Sequence, residues 1–271
     1  MAISDVALTS GMRANLLQLQ STATLVSRTQ QRLATGKAVN SALDSPTNFF
    51  AAQAANSRAT DFGVRKDGMS EGIQAVKASD AGVSAISALV EAAKGLASAA
   101  LGTSNTTDRA AFSTQYLTLI TQINSLASDA SYRGTNLLTG STLTVKFNED
   151  GTAALTVKGF TATSTGLSIS DPTNQWTDDG SITTAQWWLA SASTQLRAQS
   201  KALANNLNII TTRQDFTDSM ISTLSTGADN LTLADMNQEG ANMLMLQTRQ
   251  NLGTTALSLS SQAAQSVLRL F

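Results

Sequence analysis

Between Thr9 and Leu33 the apolar side chains Met12, Leu16, Leu19, Ala23, Val26 and Leu33 recur at helical spacings, with Gln30 interrupting the pattern. Such a heptad-like seam predicts a helix built to pack on another helix. Thr35-Gly36-Lys37 reads as its stop, because Gly36 suits the left-handed position after a helix. Asn40 to Pro46 is expected to be an ordered turn, since Pro46 disfavours helix at Ser45. A second helix is predicted from about Thr47 through Leu101, with Phe49, Phe50, Phe62, Ile73, Val76, Val83, Ile86 and Leu89 marking its apolar stripe. Gly63, Gly68, Gly72, Gly82 and Gly95 lie within it, each costing up to about 1 kcal/mol against Ala. Packing must compensate, the alternative being a helix interrupted by loops at those glycines.

Asp108 can cap a third helix from Arg109 to about Ala130, where Phe112, Tyr116, Leu119, Ile123 and Leu126 keep the helical period. Tyr132 to Asn136 closes it. The period then changes to two. Leu143, Val145 and Phe147 alternate, Asp150-Gly151 offers a tight turn, and Leu155 and Val157 alternate again, which predicts a β-hairpin over about 143–158. A polar stretch containing Trp176 runs through Pro172 to Gly180. Helix resumes near Thr183 and is expected to end at about Leu224, before Thr226-Gly227. The last helix, about Leu233 to Leu270, places Met245, Leu252, Ala256, Leu259, Ala263 and Leu270 on one face with Val267 beside it. The expected fold is mainly α: a long antiparallel helical bundle or coiled coil of the N- and C-terminal segments, with a small β-hairpin insert.

Charge changes this picture. Only 14% of residues are ionisable, against roughly 25% in ordinary soluble domains. Residues 240–271 hold only Arg249 and Arg269, and residues 1–27 only Asp5 and Arg13. The face opposite each terminal seam is Ser, Thr, Gln and Asn, whereas a core helix of a globular protein keeps a charged solvent face. Such helices are expected to pack against protein on several sides and to be marginal alone. The net charge of −1 gives no basic stripe for nucleic acid. No continuous apolar run approaches about 18 residues, so no membrane insertion is expected. Met1 to Gln20 lacks the pattern of a cleaved secretory signal.

Candidate chemistry is thin. With no His and no Cys there is no imidazole base, thiolate nucleophile or common zinc site. Asp178-Asp179, with Asp171 nearby, could bind a cation, but adjacent carboxylates in a polar loop are usually solvated. Lys94 and Lys201 read as surface residues. Trp187 and Trp188 project about 100° apart on a helix, so one should pack inward and the other toward a neighbour. No catalytic, metal or cofactor residue is expected.

Gln31-Arg32-Leu33-Ala34-Thr35-Gly36-Lys37, followed by Asn40-Ser41-Ala42-Leu43-Asp44, resembles the N-terminal motif of bacterial flagellins, including the turn residues Gly36, Asn40 and Asp44. Asp67 to Ile73, Tyr132 to Leu138, Thr165-Gly166-Leu167 and the tail Gln262 to Leu270 are similar in the same order. The resemblance implies a filament subunit with no active site. Residues 1–37 and 234–271 would form an inner coiled-coil layer, and 38–183 with 184–233 an outer helical shell without a large outer domain. The polymerisation seam would comprise Met12, Leu16, Leu19, Val26, Leu33, Met245, Leu252, Leu259, Val267 and Leu270. It further implies an extracellular location after export without signal cleavage. The implied partners are the chain itself and the flagellar export chaperone, cap and hook-associated proteins. A hook–filament junction protein is the alternative within the same organelle, and an adhesin on a similar scaffold is a more distant one. One segment departs from the pattern. The innate-receptor motif of many flagellins corresponds here to Ala92-Ala93-Lys94-Gly95-Leu96, which keeps Lys94 and Leu96 but lacks the first Arg and the Glu, so recognition is not carried over.

Overall fold

The computed structural model describes residues 10–268 and the side chains through Ser266. Leu270 and the side chain of Val267 therefore lie outside the described residues. Five helices dominate: α1 (Ser10–Thr35), α2 (Pro46–Leu101), α3 (Thr106–Asp129), α4 (Asp179–Thr232) and α5 (Met236–Leu268). Between α3 and α4 lie strands β1 (Thr142–Lys146) and β2 (Ala154–Lys158), paired antiparallel with Leu143 opposite Val157 and Val145 opposite Leu155. The fold is thus a mainly helical bundle carrying a small hairpin. Two compact units are formed, one from residues 1–57 and 224–271, the other from 58–223.

The second unit holds the main core. Val76, Val83, Ile86, Val90, Ala93 and Ala97 of α2 meet Tyr116, Ile120 and Ile123 of α3 and Ile182, Leu189, Leu196 and Leu203 of α4. Side-chain hydrogen bonds from Gln186 to Ser98, Ser193 to Glu91, Ser200 to Asp80 and Gln214 to Ser70 show that α2 and α4 run antiparallel. One window of α2 is apolar enough on average to cross a membrane, although it has no long unbroken apolar run. Its stripe instead faces this core.

The α2 glycines do not interrupt the helix, and two of them have a steric reason. A Cβ on Gly72 would stand 2.7 Å from Val145 of the hairpin. One on Gly82 would stand 2.6 Å from Leu138 and 2.8 Å from Ala130. These are the points where β1 and the loop after α3 lie closest to α2. That loop is held by Asn136, whose amide donates to the Ala127 and Ser128 carbonyls at 2.8 and 2.9 Å while its oxygen accepts from the Leu138 N–H. One side chain therefore satisfies two carbonyls at the open end of α3.

Three expectations need correction. Asn105, not Asp108, caps α3, accepting from Thr107 N–H at 2.9 Å, and Asp108 sits in the first turn. Helix α4 does not end before Thr226-Gly227 but continues to Thr232. Burial of Ala228 and Thr232 outweighs the single-glycine penalty there. Trp176, read as part of a polar stretch, is fully buried, its ring 5.0 Å from that of Tyr116. Asn174, Gln175 and Trp176 reach that position through successive left-handed backbone angles of 49°, 50° and 60°, and the Trp176 indole N–H is buried there without a hydrogen-bond partner.

Candidate assembly interface

In the first unit α1 and α5 pack antiparallel. Residues of α1 at alternating spacings of three and four turn inward: Met12 and Thr22 and Thr29 are buried, and Leu19, Val26 and Leu33 are half-buried. The two threonines were invisible to a search for apolar residues. Thr22 can sit there because its hydroxyl donates to the Gln18 carbonyl at 2.9 Å, leaving its methyl to pack. Leu16 lies off this seam, 39% exposed.

On α5 the inward face is Glu239, Leu246, Gly253 and Leu257, of which Leu246 and Glu239 are buried. The missing side chain at Gly253 is the hole for Leu19, whose Cδ2 would lie 2.6 Å from a Cβ there. The sequence pattern had selected a different face. Met245, Leu252 and Leu259 are 46%, 65% and 62% exposed, and Leu244 is 68% exposed. They form an apolar heptad row that α1 leaves largely exposed, and Leu17, 65% exposed, adds to the uncovered surface on α1.

The base of this helix pair is tied down by backbone. Gly36, at φ 70°, donates its N–H to the Arg32 carbonyl at 2.8 Å and accepts from Ala234 N–H at 2.9 Å. The Ala38 N–H donates to Thr232 at 2.7 Å, and Lys37 bridges Leu233. Arg32 Nη1 pairs with the buried Glu239 carboxylate at 2.8 Å. Beyond Gly36 the chain enters the turn anticipated from its residue types. A single Asp44 oxygen accepts from Asn40 N–H, Ser41 N–H and Ser41 hydroxyl at 3.1, 3.0 and 3.1 Å. The Asn40 N–H, then the Ser41 hydroxyl and N–H, hold the Asp44 carboxyl below its ordinary pKa. Asn40 also donates to the Lys37 carbonyl at 2.9 Å, and the tight turn leaves Leu43 almost wholly exposed.

The remaining candidates lie in the second unit. Lys94 pairs with Glu91 on its own helix at 3.8 Å, and Leu96 lines an open groove with Ala92, Gln115, Thr118 and Leu119. Trp188 packs against the core, whereas Trp187 is 67% exposed. Asp179 is engaged by the buried Arg109, and Asp178 accepts from Ser181 N–H at 2.8 Å. No cluster of metal-ligating side chains occurs among the described residues.

This chain is similar to several known proteins. The family model of the bacterial flagellin N-terminal helical region matches residues 3–143. Flagellin FljM of Caulobacter vibrioides is 31% identical over 280 residues, spanning all of both chains. The Brucella melitensis flagellin is 29% identical over 94% of this chain and 95% of its own. Bacillus cereus flagellin, in its crystal structure, aligns over 55% of this chain and 88% of its own, at 17% identity and a TM-score of 0.49.

Proposed function

Because this chain belongs to the bacterial flagellin family, we propose that it is a structural subunit that self-assembles helically into the extracellular flagellar filament for swimming motility. The observation that carries this reading is the uncovered stripe Leu244, Met245, Leu252 and Leu259 on a helix almost without charge. Burying each leucine against a neighbouring copy would contribute roughly 1.5–3 kcal/mol. Repetition along a filament multiplies that gain, and the low charge of both helices leaves little repulsion to oppose it.

In this reading 1–37 and 234–271 form the inner layer, and 38–183 with 184–233 the outer shell. Met12, Leu19, Val26 and Leu33 hold α1 on α5 within one copy. Leu16, Met245, Leu252 and Leu259 face neighbours, and Val267 and Leu270 extend the seam. Torque is transmitted by packed helices, and no residue acts as a catalyst. Export without signal cleavage, and contacts with an export chaperone, the cap and hook-associated proteins, complete the proposal. The hook–filament junction alternative draws no support from full-length relatives that are themselves named flagellins.

The test is polymerisation of the purified chain, followed by electron microscopy. The unaltered chain should form filaments. The double variant Leu252→Asp, Leu259→Asp should remain helical by circular dichroism yet fail to polymerise. Absence of filaments from the unaltered chain, or filaments formed equally well by the variant, would overturn the reading.

A further inference from the structure

Ionisable residues are spread unevenly within the second unit. Residues 58–80 of α2 are crowded with them, Arg65, Lys66, Asp67 and Glu71 among them, and the hairpin adds Lys146, Glu149, Asp150 and Lys158. The other end of the unit is nearly bare. Residues 95–107, 110–128 and 180–196 hold none. Arg109 there is buried against Asp179, and Glu91 and Lys94 pair with one another. Yet these helices have outer faces: α3 exposes Ala111, Thr114, Gln115, Leu117 and Thr118. A helix that ends in water normally keeps charge on such a face, so this end is suited to meeting protein.

Two apolar features stand at this end. Trp187 is 67% exposed, against 39% for Leu101 and Leu117. Ala185 and Leu189, two residues to either side of it, are fully buried, so at about 100° per residue Trp187 points away from the core. The second feature is an open groove of about 420 Å³ between α2 and α3, lined by Ala92, Leu96, Gln115, Thr118 and Leu119. The hydrogen bond from Gln186 to Ser98 at 3.2 Å relates the two, because it sets Trp187 at the level of Ser98. Leu96 lies only about 3 Å from Ser98 along the axis of α2 at ~1.5 Å per residue. Those two residues also turn Leu96 about 200° round the helix, so the groove opens on the flank of α2 opposite α4. Knob and groove thus share one level on opposite sides of α2.

We propose that Trp187 of one copy seats in the α2–α3 groove of a second copy of this chain. This rests on the filament reading above and adds a lateral contact made by the second unit. The lining selects an indole: Ala92, Leu96 and Leu119 suit its ring, and the Gln115 amide oxygen or the Thr118 hydroxyl can accept from its N–H. Neither Trp187 nor the groove lining carries a charge that would have to be desolvated. Area favours a second copy as the occupant. A buried tryptophan covers about 150–250 Å², far below the roughly 1,000 Å² that a lasting interface needs by itself. Such a contact serves molecules already held side by side, as copies in a filament are. Because each copy gives a knob on one side of α2 and offers a groove on the other, the contact is head-to-tail and propagates. The shared level sets the second units of neighbouring copies nearly abreast.

The test uses the full chain and a pelleting assay that reads the critical concentration for polymerisation. Trp187→Ala removes the knob, and Ala92→Phe fills the groove. Both positions are exposed in the single chain, so circular dichroism should show the same helicity for all four proteins. Each single variant should raise the critical concentration more than about tenfold, as loss of an aromatic anchor from its pocket does at other interfaces. The double variant should stay within about threefold of the worse single one, because both changes delete one and the same contact. Single variants that polymerise like the unaltered chain, as they would if the groove served a different protein, would overturn the docking proposal while leaving the filament reading intact. Effects that multiply in the double variant would overturn it equally, since the two sites would then act apart. If the unaltered chain itself forms no filament, the filament reading fails instead.

Discussion

Alanine at Gly95 should stabilise the chain and alanine at Gly82 should not, although both glycines lie inside α2. In an isolated helix each replacement would stabilise by about 1 kcal/mol, since alanine loses less backbone entropy on folding. At Gly95 nothing lies within 4 Å of the new methyl, so that gain should appear in full. At Gly82 the methyl would meet Leu138 Cδ1 at 2.6 Å and Ala130 Cβ at 2.8 Å. Carbon atoms pack at about 3.5–4.0 Å, so something must retreat by roughly 1 Å. Leu138 is fully buried, and the Ala130 Cβ moves only with its backbone. Overpacking of that kind costs about 1–3 kcal/mol. Against the propensity gain this leaves Gly82→Ala between neutral and about 2 kcal/mol destabilising.

The two variants should therefore differ by about 1–3 kcal/mol. Urea unfolding of dilute monomer, followed by circular dichroism, resolves that gap. With a slope near 2–3 kcal/mol per molar, the midpoints should separate by about 0.3–1.5 M, Gly95→Ala above the unaltered chain and Gly82→Ala at or below it. Equal upward shifts for both would refute the claim that Gly82 is needed for the close approach of the loop after α3.

Asn136→Ala should cost about 2–3 kcal/mol in the same urea assay, because it strips partners from two helix-end carbonyls and the Leu138 N–H. A loss below about 0.5 kcal/mol would mean that water replaces the amide. Asp44 gives a pH dependence whose sign is fixed: its folded pKa lies below the ordinary value, so the ionised carboxylate stabilises the turn above roughly pH 4. That contribution is lost as pH falls through the depressed folded pKa. The Asn40 and Ser41 amide resonances should report this loss, and Asp44→Asn should abolish their titration.

Most of the fold was legible because two periods are hard to confuse. The change from 3.6 to 2 at Leu143 located the hairpin, and the structure sets its alternating residues opposite one another, Leu143 with Val157 and Val145 with Leu155. Gly36 was legible because the end of α1 needs a left-handed residue, and it adopts φ 70°. The misses have a common origin in contacts distant along the chain. Gly227 reads locally as a break, but tertiary burial of Ala228 and Thr232 carries the helix through it. Trp176 sits among polar residues in sequence, and only contacts distant along the chain, Tyr116 among them, make it core. A local pattern cannot distinguish a glycine that ends a helix from one that admits a neighbour.

The α5 face is the most informative miss, because its cause bears on function. Met245, Leu252 and Leu259 form the more hydrophobic heptad, so pattern alone assigns them to the nearest available partner, α1. The chain instead turns the weaker set inward: Leu246, Gly253 and Leu257, one to two residues out of phase. Leu19 seats in the space left by Gly253, and the buried Glu239 in that phase meets Arg32. A knob-and-hole contact and an ion pair thus fix the intrachain register through features that a hydrophobicity count ranks low. The stronger stripe remains free for a stronger partner. Within a single chain such exposure is a liability, and its length along α5 exceeds what one small contact would cover. A repeated contact with other copies resolves both facts, which is why the mismatch between expected and observed seam favours assembly over a self-contained bundle.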